Sequence, residues 1–321
     1  MANSDRVAII TGSGRGLGLA YAKEIARRGA AVVVNDVNAE TAGRAVDEIR
    51  AEGGRAIAVV AAVGSTQSAR TLVEAAIEEY GRLDALVTNA GILRDNVLWK
   101  MGDDAFDDVI TTHLRGTFTT VREAVVRMRE QGEGGRIVCI GSPTGQRGNF
   151  GQTNYAAAKA GIVGMVRTWA LELGRSGITA NAVIPVAATA MTATMPYFAA
   201  AVEATERGEV MPDFFRQEIG FGTPEDVAGL VAFLASAESA GVTGQAIGIG
   251  GDRLQIYSHP EPVVTELRTG GWTYEALLDS FDPTFGPSLQ GVGERFPDLP
   301  AELRPEATPP AENAPTEKEP A

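Results

Sequence analysis

Val7-Ala8-Ile9-Ile10-Thr11-Gly12-Ser13-Gly14-Arg15-Gly16-Leu17-Gly18 decides how the rest of the chain is read. Val7–Thr11 is a short apolar run that suits a strand, and the glycines sit where a helical pattern, Leu19–Arg28, is about to start. Glycine lets a backbone turn sharply and approach a pyrophosphate, whose charge the N-terminus of the following helix favours. A turn with no ligand can look the same, so the chain around the loop has to decide. The next strand ends at Val34-Asn35-Asp36. A carboxylate about 20 residues past the glycines is suited to the adenosine ribose of NAD and repels a 2′-phosphate. Asp36, with Val37 beside it, therefore predicts NAD over NADP, although Arg15 is a cation that pulls the other way.

Working outward, apolar runs recur at Ala31–Asn35, Ala56–Val60, Leu83–Thr88, Arg136–Ile140, Thr179–Ile184 and Gln245–Ile249. Between them lie helical stretches, among them Ala39–Glu52, Thr66–Tyr80, Asp104–Arg129 and Thr153–Gly174. Near-continuous apolar strands alternating with helices predict a Rossmann-like, doubly wound parallel α/β sheet of about seven strands, buried on both faces. Two segments break the rhythm. Residues 186–222, rich in Met and aromatic side chains, are long for a connector and are expected to form a lid, ending where Thr223-Pro224-Glu225 restarts a helix. Residues 252–304 lack the alternation yet hold Trp272, Tyr274, Phe281, Phe285 and Phe296, so they are expected to pack on the core or on another subunit. Residues 305–321 have no Val, Ile, Leu or aromatic side chain and are expected to stay disordered. The expectation is a single catalytic domain over 1–251 with a C-terminal extension.

Composition narrows the function classes. A net charge of −13 argues against a nucleic-acid partner, which needs clustered Lys and Arg. One Cys excludes an internal disulfide, and two His with that Cys leave no metal cluster to expect. There is no long apolar run of membrane-span length and no signal-peptide pattern, so a cytoplasmic protein is expected. Cys139, in an apolar strand, is expected to be an inert thiol and His259 a structural residue.

The second motif is Ser142, Tyr155 and Lys159. Tyr155 and Lys159 are four apart on a predicted helix and share a face. A free phenol has a pKa of about 10 and is a poor base at neutral pH. A neighbouring ammonium favours phenolate, which predicts a Tyr155 pKa moved toward a useful acid/base value. Six Tyr and four Lys in 321 residues give about 0.07 Tyr-x-x-x-Lys pairs by chance, so a surface coincidence is the weaker reading.

Taken together, these motifs make the chain resemble the short-chain dehydrogenase/reductase family over about residues 5–251. The Gly12-x-x-x-Gly16-x-Gly18 loop, Asn89-Ala90-Gly91 after the fourth strand, and Ser142 ahead of Tyr155-x-x-x-Lys159 fall in that family's order. The resemblance implies that Tyr155 is the acid/base, that Lys159 holds the nicotinamide ribose and that Ser142 polarises a carbonyl. It implies that Gly12, Arg15, Gly16, Leu17, Gly18, Asp36, Val37, Ala62, Val63, Asn89, Ala90, Gly91, Pro185, Ala188 and Thr189 line the cofactor. Three positions depart from the family. His113 stands where an Asn is usual, Ala62 where an Asp is usual, and Val186 follows Pro185 in place of Gly. The first and third departures are similar to the dehydrogenase part of the peroxisomal multifunctional enzyme type 2. So are Val34-Asn35-Asp36, Gly91-Ile92-Leu93-Arg94-Asp95 and Gly148-Asn149-Phe150-Gly151-Gln152. His113 is expected either to join a proton relay or active-site water, or to be a satisfied structural histidine.

The expected reaction is NAD(H)-dependent interconversion of a secondary alcohol and a ketone, a 3-hydroxyacyl-CoA/3-oxoacyl thioester first. The alternatives are a 17β-type hydroxysteroid and, remotely, a dinucleotide-binding sensor without turnover. Substrate choice is expected to rest on Thr144, Phe150, Gln152, Met191 and Met195, with Tyr197, Phe214 and Phe215 either walling an apolar pocket or filling a lid core. A homotetramer or homodimer is expected.

Overall fold

The computed structural model describes residues 5–188, 196–294 and 296–304. Thr189, Met191, Met195 and the tail from 305 lie outside the described residues. In chain order the elements are β1 Val7–Ile10, α1 Gly16–Arg27, β2 Ala31–Asp36, α2 Ala39–Ala51, β3 Arg55–Val60, α3 Thr66–Tyr80, β4 Ala85–Thr88, α4 Asp103–Val109 and α5 Gly116–Gln131. They continue with β5 Gly135–Ile140, α6 Thr144–Arg147, α7 Thr153–Leu173, β6 Ile178–Pro185, α8 Ala199–Glu206, α9 Pro224–Ala235, β7 Ala246–Gly250, β8 Arg253–Tyr257 and α10 Tyr274–Thr284.

The sheet order is β3-β2-β1-β4-β5-β6-β7-β8. All neighbours are parallel except β8, which runs antiparallel to β7 with Ile247 opposite Ile256. Strand residues alternate between two cores. Ala8, Ile10, Val32 and Val34 meet α1, α2 and α9, while Val7, Ile9, Ala31 and Val33 meet α3, α5 and α7. That alternation explains why the strands read as continuous apolar runs.

Three expectations change. An eighth strand extends the expected seven, because the Gly251 turn folds Arg253–Tyr257 back on the edge of β7. β3 is not buried on both faces: Ala56 is buried and Ile57 and Val59 are half-buried, while Arg55, Ala58 and Val60 are exposed, as an edge strand allows. The long helix expected over 104–129 is interrupted by a π-helical turn at Ile110–Arg115, between α4 and α5.

Helix ends follow local chemistry. The Asn38 side chain accepts from Thr41 N at 2.8 Å at the start of α2, and Ser65 accepts from Ser68 N at 3.0 Å at the start of α3. By contrast, α1 starts after Arg15 with no side-chain cap and no acidic residue in its first turn. Its leading N–H groups and positive dipole end are therefore left for an anion. The order reverses between β1 and β4, and crevices outside the carboxyl ends at such a switch point are where doubly wound sheets bind ligands.

Candidate active site

The glycine loop is held from below by buried polar groups. Thr11 Oγ1 accepts from Asn89 N at 3.0 Å and Ala90 N at 3.1 Å, and Asn89 Nδ2 donates to Thr11 O and Gly12 O at 3.0 and 2.9 Å. Asn35, fully buried, donates from Nδ2 to Val59 O and Ala61 O, while Ser13 N donates to Asn35 O at 2.8 Å. A side chain at Gly18 would place its Cβ 2.3 Å from Gly12 O. Gly16, at φ +56, would meet nothing within 4 Å, so the loop is packed on one side and open on the other. Asp36 is half-buried at the end of β2; its Oδ1 accepts from Asn38 N at 3.0 Å, and its Oδ2 stands where a Cβ on Gly14 would go. An open glycine turn, an uncapped helix N-terminus and a carboxylate at the end of the next strand fit a dinucleotide. Val63 packs where a Cβ on Gly116 would go. Val37 and Ala62, just past the ends of β2 and β3, are exposed, Arg15 is exposed in the loop, Pro185 ends β6 and Ala188 follows it.

The second cluster stands at the carboxyl ends of β4 and β5. Ser142 follows β5, buried, and its Oγ accepts from Thr144 N at 3.2 Å. Tyr155 lies in the first turn of α7 with its hydroxyl in hydrogen-bonding reach of Ser142. One turn on, Lys159 Nζ donates to Ile140 O at 2.6 Å and lies 5.5 Å from the Tyr155 ring centroid. His113, on the π turn, meets the Tyr155 ring edge-on at 5.1 Å. Its Nε2 is 2.8 Å from Ile92 O and 3.0 Å from Ile92 N, and its buried Nδ1 has no partner. Ser142, Tyr155, Lys159 and His113 thus meet in one place.

Burial dominates the proton affinities. It pushes Lys159 down to about 7, and pushes His113 down to about 3 with help from the Lys159 charge. Tyr155 is raised by burial, against the pull of its Ser142 hydrogen bond. The expected lowering of Tyr155 by Lys159 is therefore not what the free protein has, because both groups have lost water and the ammonium itself is destabilised. Burial also pushes the Cys139 thiol up to about 12, which makes it a poor nucleophile. His259 Nε2 sits 3.1 Å from Gly244 O, away from this cluster.

On the substrate side, Thr144 Oγ1 donates to Gln152 Oε1 at 3.2 Å and Gln152 Nε2 donates to Asp95 Oδ2 at 2.8 Å. Phe150 is 81% exposed on the turn before α7. Of the aromatic residues after β6, Phe215 is fully buried and packs with Phe198, Phe221 and the half-buried Tyr197 and Phe214, so they fill a core of their own. Asn154 escaped the sequence reading. Fully buried, it donates from Nδ2 to Arg94 O and Ala105 O at 3.0 and 2.9 Å and fixes the 92–96 loop beside Tyr155. Its only signal was a polar residue next to Tyr155. Among the described residues no three His, Cys, Asp or Glu side chains converge as metal ligands, and no helix is long and apolar enough to cross a membrane.

Residues 6–198 match the short chain dehydrogenase family. The protein belongs to that family. Its members are oxidoreductases that act on CH–OH groups with NAD(P). The chain is 42% identical over 293 residues to the hydroxyacyl-CoA dehydrogenase ChsB1 of Mycobacterium tuberculosis, covering 88% of this chain and 86% of that one. It is 40% identical over 248 residues to the 3-oxoacyl-[acyl-carrier-protein] reductase FabG of Thermotoga maritima, covering 77% and 96%. A crystal structure of a short chain dehydrogenase from Mycobacterium avium superposes with a TM-score of 0.77 at 33% identity, covering 91% of this chain and 98% of that one. This dehydrogenase therefore takes a small-molecule substrate.

Proposed function

We propose that this short-chain dehydrogenase interconverts a 3-hydroxyacyl thioester, a 3-hydroxyacyl-CoA first, and its 3-oxoacyl form, with NAD(H). The observation that carries the reading is the meeting of Ser142, Tyr155 and Lys159 beside a glycine turn whose partner strand ends in Asp36. Thioester chemistry is supported by the two named relatives. The match to the hydroxyacyl-CoA dehydrogenase covers 88% of the chain, more than residues 1–251 can supply, so it runs into the extension. NAD over NADP is supported by the half-buried Asp36 carboxylate, which disfavours a 2′-phosphate, while Arg15 is exposed.

The bound dinucleotide supplies or accepts the hydride. Ser142 and Tyr155 hold the substrate oxygen, and Tyr155 Oη gives it a proton on reduction or takes one on oxidation. Lys159, anchored to Ile140 O, keeps a proton available near neutral pH next to the phenol. His113 stays neutral, so its unpartnered Nδ1 can serve a water or a relay only as a donor or acceptor, never as a cation. Thr144 and Gln152 orient the acyl side of the substrate. Exposed Phe118 and Val126 on α5 and Leu171 on α7 suit a homotetramer or homodimer.

Initial rates with NADH and NADPH against acetoacetyl-CoA and a 17-ketosteroid test this. The expected result is thioester turnover that prefers NADH and falls at least ~10²-fold in Tyr155→Phe while NADH still binds. Turnover of the steroid alone refutes the substrate class, and an NADPH preference refutes the role of Asp36.

A further inference from the structure

The extension does not leave the site alone. Gly293 N donates to Arg147 O at 2.7 Å, and Arg147 ends α6, the short helix that starts two residues after Ser142. Three residues later the same segment reaches the aromatic core that follows β6. Phe296 stacks on Tyr197 at 4.9 Å and meets Phe198 edge-on at 5.5 Å, and Tyr197 Oη donates to Pro297 O at 2.7 Å. Leu299 and Leu303 pack on the same core. That core stands over the exit of β6, since it includes Ala188, whose N–H donates to Gly222 O at 2.7 Å.

Three residues span at most about 11 Å. The segment is therefore a short bridge between structures that follow two neighbouring strands, β5 and β6. Ser142 follows the first of these strands, so the bridge lies on the same carboxyl side of the sheet as the Ser142–Tyr155 cluster. Pro297 and Pro300 fix two backbone angles of the bridge and leave it little freedom to swing away. Glu294 lies in electrostatic reach of Arg147 and Tyr257, which adds a charge contact at the near end.

We infer that the C-terminal segment, anchored at Gly293 on α6 and over Phe296–Leu303 on the aromatic core, is a built-in strap between the two that limits the bulk of the acyl chain admitted there. Phe296 is a positioning residue in it, acting through Tyr197 and Phe198. The acyl part of this inference rests on the proposed thioester activity; the strap itself does not.

The test compares the full-length protein with Phe296→Ala and, independently, with Leu299→Ala/Leu303→Ala. Two aromatic contacts are worth about tenfold in an equilibrium. In Phe296→Ala the ratio of kcat/KM for 3-oxopalmitoyl-CoA to that for acetoacetyl-CoA is expected to rise about tenfold. The change should lie in the KM of the long substrate, with kcat for the short one and NADH affinity held. The Leu pair should move the same way. A ratio that stays within twofold of wild type, or falls, overturns the strap. Absence of any thioester turnover in the wild type refutes the functional reading instead. Chymotrypsin then decides the strap: cleavage within residues 196–222 at least fivefold faster in Phe296→Ala supports it, and an equal rate overturns it.

Discussion

Gly91 is the residue on which the site's geometry can be tested most sharply. A methyl there would stand 2.2 Å from His113 Cε1 and 3.0 Å from both ring nitrogens. The ring has nowhere to retreat, with Ile92 at 2.8–3.0 Å on Nε2 and the Tyr155 ring at 5.1 Å. Overpacking of this kind costs about 1–3 kcal/mol. Pushing the ring off Ile92 adds about 1 kcal/mol for the hydrogen bond. Gly91 is not among the glycines with positive φ, so alanine is free of backbone strain and returns about 0.5 kcal/mol of unfolded-state entropy. Gly91→Ala is therefore expected to lose about 2–3 kcal/mol. His113→Ala opens a cavity and strands the Ile92 backbone, at a cost of about 2–4 kcal/mol. In the double variant the methyl sits in the space the ring has left, so it should cost no more than His113→Ala alone. Urea unfolding of the four proteins at one concentration gives the cycle, with an expected coupling of about 2–3 kcal/mol. Additivity within about 0.5 kcal/mol would show that the glycine is not there to seat the imidazole.

Other outcomes follow from the same groups. Asp36→Ser should raise the NADPH-to-NADH ratio of kcat/KM by about tenfold or more, and an unchanged ratio removes Asp36 from cofactor choice. His113 has a pKa of about 3 in the folded protein against 6.5 for its ordinary value, so between those limits the unfolded chain binds the extra proton. Stability present above pH 6.5 should drain away as pH falls toward 3, by on the order of 4–5 kcal/mol, and acid titration of His113→Asn should be flatter over that range. Raising salt from 50 to 300 mM should raise the KM for a coenzyme A thioester; a fall would mean that the net charge governs the encounter.

The parallel part of the fold was legible because each of its inner strands is buried on both faces and so reads as an unbroken apolar run. β8 was not, since Arg253-Leu254-Gln255-Ile256-Tyr257 alternates and is exposed on an edge, a pattern five residues long that a loop also shows. The π turn at Ile110–Arg115 leaves no mark in composition; it consists of one residue too many in a helical stretch, and it carries His113, which meets the Tyr155 ring edge-on. The Tyr155–Lys159 spacing placed two side chains on one face, which the fold keeps. It carried no information on burial, and burial sets the proton affinities here. Asn35 and Asn154 illustrate the same gap. Each is a polar residue whose role depends on backbone carbonyls brought in from Val59, Ala61, Arg94 and Ala105 by tertiary folding.

The acidity of the chain is the feature that sits least well with an anionic thioester or dinucleotide, and distance resolves it. At physiological ionic strength charges are screened over about 8 Å, so most of the 41 acidic side chains act on solvent and not on the site. What an incoming phosphate meets is local: the uncapped N-terminus of α1 with Arg15 beside it. For the proposed thioester, the exposed cations near the Ser142–Tyr155 cluster are Arg94 on the 92–96 loop and Arg147 at the end of α6, two structures that Gln152 ties together through Asp95 and Thr144. The end of α6 is in turn tied to the C-terminal extension by the Gly293 N–H on Arg147 O. Arg147 thereby does two jobs: its carbonyl anchors the extension, and its side chain stays exposed within electrostatic reach of Glu294. A local cation acts on a ligand that comes within a Debye length while the diffuse surface term is screened out, and here that attraction is offset in part by Glu294 near Arg147 and Asp108 on Arg94.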